Sequence, residues 1–355
     1  MASSEEDGAA AAAEQLGSMS LGNTEPAANI GAATKLCSAC GTESDTAEKC
    51  NECECVWYCD KDCKDGHRKE HEKECELIKT VIDQRGGKLD VGTELDIGPL
   101  GTVPSQEECP ICLQALPLCE MLHRYNVCCG KTLCSGCSLQ HCMMKTELAV
   151  PITCPFCRTA GMGEGSDEEH YEHYLVQLRK RTERKDPTAL RHLAMAYRFG
   201  LLGLSVDQAK CIDLLRESAD LGDPDAQCKL GLSHYNGELG LEQNKEEAAK
   251  YWEKAAEGGN VFAQHSLGCK KYNSGDVIAA MRHWRLSTSG GFKPSMKFLI
   301  DCFKIGSLRH GDLAETMRAF YRSRAELTNE GRNQCIAYFE IKRDQEFNSL
   351  EVMDR

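Results

Sequence analysis

Cysteine is the residue type whose number and spacing in this chain could do chemistry. The chain has 23 Cys in 355 residues, and 18 of them lie between Cys37 and Cys157. No positively charged stretch at the start of the sequence leads into an apolar segment, and no apolar run reaches the roughly 18–20 residues that a membrane span needs. This predicts an intracellular protein, cytoplasmic, nuclear or both, in which thiols stay reduced. Cysteines at this density therefore predict metal binding rather than disulfide bonds.

The first cysteine block, residues 37–75, contains eight candidate ligands in four close pairs. A Cys-x2-Cys turn aims two thiolates at one tetrahedral Zn²⁺, and a His-x3-Cys spacing puts two ligands one helical turn apart. Four pairs supply two closed sites, which is typical of structural zinc. Val56, Trp57 and Tyr58 would fill the core of so small a domain. The pairs are Cys37 and Cys40, Cys50 and Cys53, Cys59 and Cys63, and His71 and Cys75.

The pair spacing, the Tyr58-Cys59 step and the terminal His-x3-Cys resemble the MYND zinc finger over residues 37–75. The resemblance implies that pairs one and three hold one Zn²⁺ and that pairs two and four hold a second. Cys55 is left over, and His67 is expected to be a solvated helix residue. The implied sets are Cys37, Cys40, Cys59 and Cys63 for one ion and Cys50, Cys53, His71 and Cys75 for the other.

Proline-containing peptides are frequent ligands of the family. They bind in a groove lined by a Gln just after the sixth ligand and a Trp three residues before the His. Lys64 and Arg68 stand at these two positions here. The resemblance therefore predicts the zinc fold and leaves the peptide specificity open.

The second cysteine block, residues 109–157, also contains four pairs and resembles a RING-type cross-brace. Two further Zn²⁺ ions are implied, one shared by pairs one and three and one by pairs two and four. Lys131 stands where a usual RING has a His ligand, so Cys128 and Cys129 are both expected to ligate; His141, Cys142 and His123 are the alternatives. The implied sets are Cys109, Cys112, Cys134 and Cys137, and Cys128, Cys129, Cys154 and Cys157.

RING domains that act as ubiquitin ligases dock a conjugating enzyme through three positions of the finger. These are an apolar residue in the first Cys pair, a Pro in the last pair and a basic residue after the final Cys. By resemblance they would be Ile111, Pro155 and Arg158, and all three have the appropriate residue type. The alternative is structural: Ile111 and Pro155 shape the zinc knuckles and Arg158 caps the fold.

Behind the cysteine blocks, the chain repeats itself with an offset of 37 residues. From Asp186 and again from Asp223, an Asp-Pro step opens a segment with Ala, Leu and Gly at recurring helical positions. A third, shorter copy and a degenerate fourth, from about residue 292, follow. The pattern resembles the Sel-one-like repeat, a relative of the tetratricopeptide repeat, over roughly residues 186–310. Such helical hairpins cannot bury their apolar faces alone and stack into a solenoid.

The predicted fold class is therefore multidomain: two small zinc-stabilised cross-brace fingers followed by an all-α helical-repeat solenoid, with a disordered N-terminal tail. The tail is rich in Ala, Gly, Ser and Glu, which cannot bury enough surface to order it. The predicted boundaries are 1–35 for the tail, 36–76 for the MYND-type finger, 77–106 for a linker, 107–160 for the RING-like finger, 161–169 for an acidic Gly-rich linker, 170–311 for the repeats and 312–355 for C-terminal capping helices and tail.

The net charge and the absence of catalytic motifs limit the functions that the sequence allows. The net charge of −13 argues against nucleic acid binding, and the basic residues at 179–185 are expected to form a solvated helix face. No phosphate loop, nucleophile elbow or open zinc site with a neighbouring Glu is found, so no catalytic residue is assigned. We expect an adaptor that binds other proteins through its fingers and solenoid. The alternative is a ubiquitin ligase, a transferase that recruits a conjugating enzyme and binds substrate on the concave face of the solenoid.

Overall fold

The computed structural model describes residues 35–102, 107–116, 123–147, 153–159 and 166–327. Residues 1–34 of the predicted tail, the Gly-rich stretch at 160–165 and the C-terminal residues from 328 onward lie outside these ranges. Two cysteine-rich segments precede a long run of helices, as the sequence predicts. No described helix is long and apolar enough to span a bilayer.

Two short antiparallel strand pairs and one long helix make up the first cysteine-rich segment. Strand β1 (Lys35–Leu36) pairs with β2 (Glu43–Ser44), and β3 (Glu48–Lys49) pairs with β4 (Trp57–Tyr58). Helix α1 (Lys61–Gln84) is capped by Asp60, whose side chain accepts a hydrogen bond from the Cys63 backbone N–H at 2.8 Å. We call residues 35–84 the first finger. Because α1 continues to Gln84, it enters the range predicted as a linker.

The second cysteine-rich segment is smaller and holds one hairpin and one helix. Strand β5 (His123–Asn126) pairs antiparallel with β6 (Lys131–Cys134), and helix α2 (Ser135–Glu147) follows directly. An isolated bridge joins Glu108 and Ala115. We call the described residues between 107 and 159 the second finger.

Nine helices occupy residues 166–327, the last described range. Successive helices α4 and α5, α6 and α7, and α8 and α9 form closely packed pairs, and each pair packs on the next, as in a solenoid. The helices are α3 (Asp167–Glu183), α4 (Pro187–Phe199), α5 (Gln208–Asp220), α6 (Pro224–Asn236), α7 (Lys245–Glu257), α8 (Val261–Asn273), α9 (Val277–Ser289), α10 (Lys293–Lys304) and α11 (His310–Leu327).

The repeated Asp-Pro step caps helices α4 and α6. The side chain of Asp186 accepts from the Ala189 N–H at the start of α4, and Asp223 does the same for Ala226 at the start of α6. The proline that follows each cap sits in the first turn, where its missing N–H costs nothing. Gly200 ends α4 in the left-handed region at φ 66°.

The described core is divided among the repeats and continues into the first finger. One apolar cluster joins buried side chains of the first finger, among them Ile78, with Trp284 of α9, Phe303 of α10 and Phe320 of α11. Separate clusters fill α4 to α6 and α7 to α8. The first finger therefore shares its core with the last three described helices and does not pack on itself alone.

Candidate metal centres

The fingers bring sixteen Cys and His side chains together in four groups of four. Within each group the ligand atoms all lie within 4.8 Å of one another. Each group interleaves two sequence pairs, one and three or two and four. The groups are Cys37, Cys40, Cys59 and Cys63; Cys50, Cys53, His71 and Cys75; Cys109, Cys112, Cys134 and Cys137; and Cys128, Cys129, Cys154 and Cys157. We number them clusters 1 to 4 in that order.

The spacing of the ligand atoms suits a tetrahedral zinc ion. Four sulfur atoms at about 2.3 Å from one Zn²⁺ lie about 3.8 Å apart. The sulfur atoms of Cys40 and Cys59 are 3.7 Å apart in cluster 1, and those of Cys129 and Cys154 are 3.8 Å apart in cluster 4. In cluster 2 the sulfur atoms of Cys50 and Cys75 are 3.6 Å apart, and in cluster 3 those of Cys112 and Cys134 are 3.9 Å apart. All four clusters could therefore hold Zn²⁺ in closed, four-ligand sites.

One Cys-x2-Cys turn in each cluster has the same backbone geometry. These turns are Cys37–Cys40, Cys50–Cys53, Cys109–Cys112 and Cys154–Cys157. In each, the residue after the second Cys lies in the left-handed region and donates its N–H to the carbonyl oxygen of the first Cys. The N···O distances lie between 2.8 and 3.1 Å. This turn points both sulfur atoms to the same side. The residues and φ values are Gly41 at 73°, Glu54 at 56°, Leu113 at 57° and Arg158 at 57°.

The sequence predicts that Cys128 and Cys129 both bind the zinc of cluster 4, with three other residues as alternatives. The structure groups both Cys128 and Cys129 with the last pair, in a turn that ends at Gly130 with φ 76°. The alternative His141 lies elsewhere, with its Nε2 2.7 Å from the carbonyl oxygen of Thr153. Cys142 is not part of the cluster, and the side chain of His123 lies outside the described residues.

One thiol in each of clusters 1, 3 and 4 has a pKa below its ordinary value. Hydrogen bonds from the hydroxyl and backbone N–H of Thr159 lower the pKa of Cys157 to about 6. Burial raises the pKa of Cys109, but backbone N–H groups, first that of Cys112, outweigh it and bring the pKa to about 7. Burial is likewise outweighed at Cys40, where bonds to Thr42 bring the pKa to about 7. Thiolates are the form that binds zinc, so these thiols are prepared to ligate.

The second finger contacts the first repeat. The Tyr125 hydroxyl donates to Oδ2 of Asp186 at 2.7 Å, and Asp186 is the residue that caps α4. From α3, the Arg181 guanidinium donates to the carbonyl oxygens of Val127 at 3.2 Å and of Cys128 at 3.0 Å. Because Cys128 belongs to cluster 4, α3 braces the backbone of a predicted ligand.

Residues 85–102, predicted as a linker, lie along the other end of the helical region. Arg282 on α9 donates to the carbonyl oxygen of Ile97 at 3.0 Å, and Arg285 donates to that of Gly98 at 2.8 Å. Lys293 forms an ion pair with Glu74 of α1 at 2.9 Å. The first finger is thus joined to α9 and α10 both directly and through this segment.

The remaining residues singled out in the sequence fall into three environments. Cys55 is 0% exposed and belongs to no cluster, as expected. His67 was expected to be solvated, and this is wrong: it is only 8% exposed, because the ring lies against Tyr58 and against α11. Ile111 is 44% exposed. Arg158 is also exposed and Pro155 is half-buried.

Closed four-ligand clusters on small fingers, followed by stacked helical pairs, define a zinc-finger protein with a repeat solenoid. Family models agree for the parts they match. Residues 37–75 match the model of the MYND finger, and residues 187–223 and 224–260 each match that of the Sel1 repeat. The chain thus carries a MYND finger and at least two Sel1 repeats.

Several solved structures are similar to part of the chain. A Sel1 repeat protein from Oxalobacter formigenes is 28% identical over 36% of this chain and 97% of its own, with a TM-score of 0.33. A protective antigen of uropathogenic Escherichia coli strains with an SLR fold is 21% identical over 52% and 37%, with a TM-score of 0.37. A Pseudomonas aeruginosa protein is 19% identical over 53% and 83%, with a TM-score of 0.28. No curated protein matches the chain.

Proposed function

We propose that this protein is a zinc-dependent scaffold that binds other proteins through its fingers and its helical repeats, in the cytoplasm, the nucleus or both. Its sixteen cluster residues would hold four structural Zn²⁺ ions. The observation that carries the proposal is the closed geometry of the clusters: four protein ligands leave no coordination position for a substrate. The zinc would therefore shape surfaces rather than perform a reaction.

A binding surface is available on the first helix of each repeat. Helical periodicity places Phe199 of α4, Leu232 of α6, Phe262 of α8 and Phe298 of α10 on the corresponding face of their helices, and all four are exposed. We call this set the first-helix face. Exposed apolar side chains in successive repeats support recognition of a polypeptide laid across the solenoid, since such repeats generally bind along an extended surface.

The scaffold proposal is tested by comparing the proteins captured by the full-length chain and by a Leu232→Asp, Phe262→Asp double variant. Leu221→Asp serves as the control, because Leu221 is equally exposed but follows α5, away from the first-helix face. We expect a group of partners that the wild type and the control retain and the double variant loses. An identical set of partners for all three proteins would contradict binding through this face.

A ubiquitin ligase is the second candidate, and one observation favours it. The apolar side chain that would dock a conjugating enzyme, Ile111, is exposed on the second finger, and so is Arg158. Transfer by the wild type with a panel of conjugating enzymes, lost in both Ile111→Ala and Arg158→Ala variants that keep their zinc, would support a ligase. Absence of transfer from the fully metallated protein would favour the scaffold alone.

A further inference from the structure

The histidine of cluster 2 uses both of its ring nitrogens. His71 Nε2 lies 3.2 Å from the sulfur of Cys53, inside the cluster, and Nδ1 lies 3.3 Å from the hydroxyl oxygen of Tyr321. A ring nitrogen that binds a metal carries no proton, so the proton of a neutral His71 would be on Nδ1. The Nδ1–H then donates to Tyr321, a residue 250 positions further along the chain.

Tyr321 lies on α11 and is only 3% exposed. Its ring meets the His71 ring edge-on, with centroids 5.7 Å apart and planes at 84°, and meets His67 in the same way at 4.3 Å and 86°. Tyr321 therefore restrains the His71 ring in two ways, through packing and through its hydroxyl. Both restraints fix the direction in which Nε2 points.

Two further residues of α11 hold the backbone that presents the cluster. His310 Nε2 lies 2.8 Å from the carbonyl oxygen of Cys53 and 3.4 Å from the sulfur of Cys55. Arg318 donates to the carbonyl oxygen of Cys55 at 3.0 Å. A carbonyl oxygen only accepts, so His310 Nε2 carries a proton and donates to Cys53. The turn that supplies Cys53 is therefore fixed by α11 and not by the finger alone.

We infer that α11 completes the zinc site of cluster 2, with Tyr321 as the positioning residue for the ligand His71. This inference rests on the proposed ligand set of that cluster. A partner on the second nitrogen of a metal-binding histidine fixes the ring and its tautomer, and loss of such a partner commonly costs 10–100-fold in metal affinity. The site therefore spans the MYND finger and the end of the solenoid.

The coupling works in both directions. If α11 strengthens zinc binding at cluster 2, then zinc at cluster 2 must strengthen the docking of α11 by the same factor. The shared apolar core of the first finger and α9 to α11 provides the packed contact through which both effects would act. Loss of this one ion would then loosen one end of the helical region.

The first test measures zinc retention by native mass spectrometry of the full-length protein at rising chelator concentration. Tyr321→Phe removes the hydroxyl and keeps the ring, so the packing is preserved. We expect it to fall from four to three zinc ions at a roughly 10–100-fold lower chelator concentration than the wild type. Tyr272→Phe, on an exposed tyrosine of α8, is the control and should behave as the wild type. Wild-type retention in Tyr321→Phe would overturn the inference.

The second test removes a ligand and observes α11 by hydrogen exchange. Cys75→Ser should lose one zinc ion and speed exchange in residues 310–327, whereas Cys154→Ser should lose one zinc ion from the second finger without that change. Unchanged exchange in both variants would contradict the coupling. A Cys75→Ser protein that keeps its full zinc content would instead contradict the proposed ligand set, so the two failures are distinguishable.

Discussion

Gly231 on α6 lies against the indole ring of Trp252 on α7. A Cβ atom added to Gly231 would be 2.5 Å from Trp252 Cδ1, closer than any normal contact. The next repeat reproduces the pair, with Gly268 of α8 at the same distance from Trp284 of α9. Each tryptophan is buried and fills the space that a side chain on the facing helix would take. The glycines that recur in the sequence thus set the distance between the helices of a repeat.

Gly231→Ala should destabilise the solenoid although alanine is the better helix former. The added methyl group must displace a buried indole, and overpacking of this kind costs about 1–3 kcal/mol. Gly66→Ala on α1 is the matched control, because a methyl group at Gly66 would meet no atom within 4 Å. The control should gain up to about 1 kcal/mol from helix propensity. Denaturant unfolding of both variants decides the point, and a neutral Gly231→Ala would show that the repeat tolerates wider spacing.

Arg285 is a buried cation that joins three segments. It is 1% exposed, lies 2.6 Å from a carboxylate oxygen of Glu315 and donates to the carbonyl oxygen of Gly98 at 2.8 Å. Arg285→Ala would leave these acceptors without their donor, and losing hydrogen bonds from a buried charged group costs about 1.5–3 kcal/mol. Exposed Arg216 on α5 provides the control, since Arg216→Ala should cost under about 1 kcal/mol. Equal effects on the unfolding free energy would contradict this account.

Stability should fall as the pH drops below about 6.5. Burial holds the pKa of His283 below its ordinary value of 6.5, and its Nδ1 lies 2.7 Å from Gln264 Oε1. As the pH falls below about 6.5, His283 becomes protonated in the unfolded chain but stays neutral in the folded chain until lower pH. Acid therefore favours unfolding. His283→Gln should make the unfolding free energy less dependent on pH below about 6.5. An unaltered slope in His283→Gln would contradict the assignment.

Arg158 occupies a backbone conformation that favours glycine. Its φ of 57° closes the last Cys-x2-Cys turn, and non-glycine residues pay about 1–2 kcal/mol there. Arg158→Gly should therefore keep all zinc and stabilise the second finger by about 1 kcal/mol, while Arg158→Val should destabilise it. Thermal unfolding of the zinc-loaded proteins measures both changes. A loss of stability in Arg158→Gly would mean that the side chain contributes more than the backbone strain costs.

The sequence predicted those parts of the structure that depend on local spacing. Two thiolates three residues apart define a turn, and an Asp-Pro step caps a helix, whatever the rest of the chain does. The burial of His67 was missed because α1 is rich in charged residues, so nothing nearby marks that face as covered. The pairing of His71 with Tyr321 was missed because no local pattern identifies a partner 250 positions away.

The contacts between the fingers and the helices could likewise not be predicted from local sequence patterns. Residues 85–102 contain glycine and proline and read as a linker, yet Ile97 is buried and the backbone around it is bonded by Arg282 and Arg285. Those arginines lie on a helix some 185 residues away, and no local pattern links them to this segment. Long-range packing therefore decides how the domains meet.

The zinc stoichiometry of the full-length protein tests the central claim most directly. Cys53 and Cys55 are neighbours in one turn, but only Cys53 belongs to a cluster, so the pair separates a ligand from a buried thiol of the same segment. Native mass spectrometry should find four zinc ions in the wild type, four in Cys55→Ala and three in Cys53→Ser. Fewer than four ions in the wild type, or the same loss in both variants, would contradict the account.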